Sequence, residues 1–114
     1  METDNAGNFF SYGYASSEMD YFGEVIQKGT FLCKQKPDGE IIWIKQFAGL
    51  FVGYNLGNYI TIDPINENVY ITGGFNEPLI IPGGPTLIPN EEGSLFIIKY
   101  GIDGVYKFAI QEVF

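Results

Sequence analysis

The chain repeats itself, and that restricts its fold more than any other feature. The segment Phe31-Leu32-Cys33-Lys34-Gln35-Lys36-Pro37-Asp38-Gly39-Glu40-Ile41-Ile42-Trp43-Ile44-Lys45-Gln46 returns 65 residues later, with Phe31 answered by Phe96 and Gln46 by Gln111. Phe, Lys, Asp, Gly and Gln recur at fixed places, and Trp43 is answered by Phe108. A second match, offset by 60, sets Asn8-Phe9-Phe10-Ser11-Tyr12-Gly13 against Asn68-Val69-Tyr70-Ile71-Thr72-Gly73. The difference of five residues falls in the connection between the two matches, where insertions are tolerated. Self-similarity at a fixed period marks architectures in which one supersecondary unit stacks on the next.

Each unit reads as β-structure. Runs rich in Ile, Val, Tyr, Phe and Thr, punctuated by Gly, Pro, Asn and Asp, place strands at Phe9–Tyr14, Phe31–Lys36, Ile41–Phe47, Tyr59–Asp63, Val69–Phe75, Leu95–Tyr100 and Tyr106–Gln111. The stretch Phe22–Lys28 is where a short helix or turn is expected. Pro37-Asp38-Gly39 and Ile102-Asp103-Gly104 read as hairpin turns. Ile41-Ile42-Trp43-Ile44 and Leu95-Phe96-Ile97-Ile98 are apolar on both faces, which predicts sheets covered on both sides.

Asn58-Tyr59-Ile60-Thr61-Ile62-Asp63, Asn68-Val69-Tyr70-Ile71-Thr72-Gly73-Gly74-Phe75, Leu95-Phe96-Ile97-Ile98-Lys99-Tyr100 and Asp103-Gly104-Val105-Tyr106-Lys107-Phe108 follow in order. Together they resemble the bacterial β-propeller repeat called SBBP. The match is almost complete in the second copy and runs from Asn8 to Gln46 in the first. Glu67 departs from it, standing where that family usually has Gly, and Ser11-Tyr12 replaces Val-Thr. The resemblance implies an all-β fold of antiparallel, four-stranded propeller blades, with repeat 1 over 1–57 and repeat 2 over 58–114. Seven strands are expected, with the innermost strand of the first blade falling before Met1. Asp38, Gly39, Asp63, Gly73, Asp103 and Gly104 are the residues that build the repeat. Two blades cannot close a propeller of about four to eight. The expectation is therefore a fragment of a larger ring, or self-association into one, with a two-repeat sandwich as the third solution.

Composition excludes several functions. The chain has no His and one Cys, so it lacks Ser-His and Cys-His dyads, imidazole metal ligands, an internal disulfide and a thiolate zinc site. Fourteen Asp and Glu against six Lys give a net charge of −8, which repels nucleic acid and anionic membrane. No run approaches the roughly 20 apolar residues of a membrane span. The polar, acidic start Met1-Glu2-Thr3-Asp4-Asn5 lacks the pattern of a signal peptide. Cys33, between Leu32 and Lys34, reads as a small core residue.

No cofactor is expected. Glu2, Asp4, Glu18, Asp20 and Glu24 are the calcium candidates, but their spacing matches no calcium loop and reads as a solvated surface. Glu91-Glu92, adjacent in a turn, lack the opposed placement that glycoside hydrolysis needs. Ile80–Pro89 is an apolar connection, either folded back on its blade or offered to a partner. Tyr12, Tyr14, Tyr21, Phe22 and Tyr54 are the aromatic residues expected at the surface, where a ring can stack on a sugar. The functional expectation is a non-catalytic binding or scaffold module that recognises protein or glycan. The alternative is a carbohydrate-active enzyme or lectin subunit that uses carboxylates and exposed aromatics. The resemblance implies an extracellular or cell-surface setting, with other blades or copies of the chain as partners.

Overall fold

A computed structural model describes residues 2–15, 17–47, 59–63, 65–75, 77–90 and 93–113. The protein is all-β, and its described strands form antiparallel sheets. Four strands make the first sheet in the order β1 (Glu2–Thr3), β2 (Phe9–Ala15), β5 (Gly29–Gln35) and β6 (Ile41–Phe47). Four more make the second in the same order: β7 (Tyr59–Asp63), β8 (Asn68–Phe75), β11 (Ser94–Gly101) and β12 (Tyr106–Val113). Between the second and third strands of each sheet a small hairpin is inserted. These are β3 (Met19–Tyr21) with β4 (Glu24–Ile26), and β9 (Leu79–Ile80) with β10 (Thr86–Leu87). Neither four-stranded sheet is closed or curled.

The repeat extends to single hydrogen bonds. In the first third-to-fourth strand turn, Lys36 N donates to Glu40 O, Gly39 N to Lys36 O, and Glu40 N to Asp38 Oδ1. In the second, Gly101 N donates to Val105 O, Gly104 N to Gly101 O, and Val105 N to Asp103 Oδ1. Each sheet has a β-bulge at the same place, between Lys34 and Gln35 and between Lys99 and Tyr100. Gly13 faces Phe31 in one register and Gly73 faces Phe96 in the other, so each phenyl ring lies beside a residue without a side chain.

Three sequence expectations are corrected. The first sheet has a fourth strand within the chain: Glu2 pairs with Phe10 and Thr3 with Phe9, so the two sheets hold eight strands rather than seven. Two residues are too few to show a β pattern; the Asp4 turn holds them in place. The Phe22 region is neither helix nor simple turn but the tip of the β3–β4 hairpin, whose two turn residues, Phe22 and Gly23, both have positive φ. That backbone matches the twist of a two-residue hairpin, but aspartate or asparagine, not phenylalanine, usually signals it in sequence. Finally, β11 alternates between buried and exposed positions, so among the described residues one face of the second sheet is open.

Asp4 and Asp63 close the first-to-second strand turns. Asp4 Oδ1 accepts from Ala6 N and Asn8 N; Asp63 Oδ1 accepts from Ile65 N and Asn66 N. Gly7 in the first turn has φ of 84°, and its counterpart Glu67 has φ of 57°. A side chain in that left-handed region is strained by about 1 kcal/mol. Glu67→Gly is therefore expected to stabilise the protein by about 0.5 kcal/mol after the extra freedom of the unfolded glycine is subtracted. Urea denaturation measures this, and a loss of stability would contradict it.

Candidate functional site

Each four-stranded sheet has two distinct faces. One carries the inserted hairpin and is called here the hairpin face. In the first sheet it holds Ala15, Phe31 and Cys33, packed under Ile26 and flanked by Tyr21, Ile41 and Ile44. The other, the lysine face, holds Phe10, Leu32, Lys34, Trp43 and Phe47. Period-2 alternation separates the two sets along the strands.

The main core forms where the lysine face of the first sheet meets the hairpin face of the second. Phe10, Leu32 and Phe47 pack with Val69, Ile71, Phe96, Ile98 and Tyr100, and with Leu79 and Ile81 of the second hairpin. One polar point sits at its margin. Lys34 Nζ donates to Ile102 O at 2.9 Å, and Trp43 Nε1 donates to the same carbonyl at 3.0 Å. Lys34 also pairs with the Asp4 carboxylate at 3.8 Å, with both side chains nearly buried. The Trp43 ring lies against Gly104, where an added Cβ would come within 3.3 Å of it. The packing is head-to-tail, joining unlike faces.

The lysine face of the second sheet has no such cover among the described residues. Leu95, Ile97 and Ile110 are 37 %, 38 % and 44 % exposed. They line a shallow depression of about 250 Å³ together with Thr72, Gly73 and Glu112. Lys99 stands over the Tyr70 ring at 5.5 Å and the Phe108 ring at 5.2 Å. Lys99 and Phe108 occupy the repeat positions of Lys34 and Trp43. Comparison with known proteins finds no family model, no curated protein and no solved structure that matches the chain.

The aromatic residues expected at the surface do not form one platform. Tyr12 is half-buried and packs against the main core, a correction that follows from its place on the lysine face of the first sheet. Tyr21 packs on Phe31, and its hydroxyl donates to Gln35 Oε1 at 3.1 Å. Tyr14 and Phe22 are exposed, and Tyr54 lies outside the described residues. Glu91 and Glu92 also lie outside them. The connection at Ile80–Pro89 folds back on its own sheet: Tyr100 Oη donates to Pro82 O at 2.6 Å, and Gln111 Nε2 donates to Ile88 O.

Among the described residues, no three His, Cys, Asp or Glu side chains converge as metal ligands. Asp4 and Asp20 serve turns instead, Asp20 Oδ1 accepting from Gly23 N. The side-chain amide and backbone N–H of Asn66, with the backbone N–H of Ile65 and the charge of Lys99, hold the exposed Asp63 carboxyl below its usual range. The pair Lys34 and Lys99 was visible in the sequence as a lysine recurring inside two apolar strands. That Lys34 sits at a packing face follows only from the fold.

Burial pushes the Cys33 thiol up to about 11, and the charge of Glu24 adds to the shift. Burial also raises the phenols of Tyr12 and Tyr100, with Tyr106 adding to the latter. These groups stay neutral in the fold after they would ionise in the unfolded chain. Their contribution is complete below the unfolded values of about 8.5 for Cys and 10 for Tyr, and is lost as pH rises through the folded values. Thermal melts should hold steady from neutral pH to about 8.5 and then fall through about pH 11. A melting temperature constant over that alkaline range would contradict the burial assigned to these groups.

Proposed function

We propose that the chain is a non-catalytic scaffold module made of two propeller-type blades, and that it binds protein through the open lysine face of its second sheet. The observation that carries this reading is the apolar strip of Leu95, Ile97 and Ile110 on a sheet whose counterpart face in the first repeat packs on the second sheet. Monomers rarely leave a broad apolar face uncovered. The blade assignment rests on the SBBP resemblance and on the shared strand order, turns and bulges of the two sheets. The same resemblance supports an extracellular or bacterial cell-surface setting.

The competing reading is a lectin or carbohydrate-active subunit, and the dispersal of its aromatic candidates weighs against it. A glycan array with the purified chain, together with hydrolysis assays on polysaccharides, separates the two. The scaffold reading expects no glycan signal and no hydrolysis. Glycan binding that is lost on Tyr14→Ala would overturn it, as would hydrolysis lost on a single carboxylate substitution.

A further inference from the structure

The partner of the open face follows from how the chain packs on itself, granted the scaffold reading above. Head-to-tail packing joins unlike faces and leaves one of each kind unused at the two ends. The unused lysine face is on the second sheet. The hairpin face that meets no other sheet among the described residues is on the first; its own β3–β4 hairpin covers Ala15, Phe31 and Cys33 there, and Pro37-Asp38-Gly39 forms the same hydrogen-bonded turn as Ile102-Asp103-Gly104. At that turn Glu40 is paired with Lys36 at 3.3 Å, and Asp38 is the negative charge left to meet Lys99. In such a contact Lys99 takes the place of Lys34, the Pro37 carbonyl that of Ile102, and Phe108 that of Trp43.

One residue stands in the way. The Phe22 ring rests on Gly39, so close that an added Cβ there would come within 2.8 Å of Cε1. Trp43 rests on the equivalent Gly104. The second hairpin turns instead through Pro82-Gly83-Gly84, where Gly83 and Gly84 lie against Tyr106, and Gly104 is left to the other sheet. Phe22 is 62 % exposed and has φ of 51°, a backbone that disfavours phenylalanine. Its ring is thus held at the seat by a strained and solvent-facing tip.

We propose that the open lysine face of the second sheet docks on the first sheet of a second copy, and that Phe22 is the internal competitor for the seat on Gly39. Removing the ring frees the seat, and charging the apolar strip destroys the surface that fills it.

Sedimentation equilibrium from micromolar to millimolar concentration tests this, with thermal melts confirming that each variant folds. Phe22→Gly is expected to raise the self-association constant about tenfold over the unaltered chain, a shift that a single lost contact accounts for. Phe22→Asn, which keeps a residue tolerant of positive φ, gives the same readout if the glycine variant unfolds. Ile97→Glu added to either should return the chain to monomer. Equal association with and without the ring overturns the role of Phe22, and association that survives Ile97→Glu overturns the docking face. If every variant remains monomeric, a second copy is not the partner. None of these results bears on glycan binding, whose appearance is what defeats the scaffold reading itself.

Discussion

Trp43→Ala will destabilise the protein by about 3 kcal/mol, the low end of the range for a large aromatic truncated in a core. The low end applies because the indole is half-buried at the margin of the main core. Its ring lies on Gly104, 6.0 Å from the Phe10 ring centroid, with Lys45 Nζ 5.9 Å from its own. Truncation opens a void between the sheets. The lost hydrogen bond adds less than about 1 kcal/mol, because Ile102 O keeps its bond from Lys34. Trp43→Phe, which retains a ring on Gly104, is expected to cost about 1 kcal/mol, mostly the hydrogen bond. Urea denaturation followed by far-UV circular dichroism gives both values. A cost for alanine no greater than that for phenylalanine would show that the ring does not hold the sheets together.

Lys34→Met is the second large effect, at about 2–3 kcal/mol. Methionine matches the length of the lysine stem, so the loss reports what the ammonium does: its pair with Asp4, its bond to Ile102 O and its place over the Phe10 ring. Without the ammonium the Asp4 carboxylate stays almost buried and loses its opposite charge. It retains hydrogen bonds from Ala6 N, Asn8 N and Asn8 Nδ2, which keeps the cost below that of a fully orphaned ion. Asp4→Asn combined with Lys34→Met should therefore recover part of the loss, about 1 kcal/mol. Strictly additive single and double variants would mean that the two charges do not interact.

Much of this architecture was legible in the sequence. The offsets of 65 and 60 placed three strands of each sheet, and the Asp-Gly pairs marked the turns, because turn chemistry is local. Strands of two or three residues were not legible. Glu2–Thr3 carries no alternation, and Met19–Tyr21 is polar at Asp20, so nothing marks either as β before its partner is known. The exposure of Leu95 and Ile97 was misread for a related reason. An apolar run has the same appearance whether its second face is covered by this chain or by something else. Tyr12 was placed at the surface because composition does not report which side of a strand faces the neighbouring sheet. That Phe22 and Trp43 rest on equivalent glycines was beyond sequence reading, since it depends on two close approaches in space.

The twin bulges decide where the chain tolerates a change of length. At each, two residues oppose one: Lys34 pairs with Trp43 and Gln35 with Ile41, leaving Ile42 over, and Lys107 is left over in the same way in the second sheet. That explains why Ile42, an isoleucine, is solvent-exposed. Removing one residue past the bulge, at Ile44, shifts the rest of the fourth strand by one, and a shift of one exchanges its faces. Phe47 would then point away from the second sheet and Gln46 toward it. The inserted hairpins carry no such phase, and the two repeats already differ in length in that region. Natural or engineered insertions therefore belong at Ser17–Lys28 and Glu77–Asn90, while the short turns at Asp38 and Asp103 must keep their residue count.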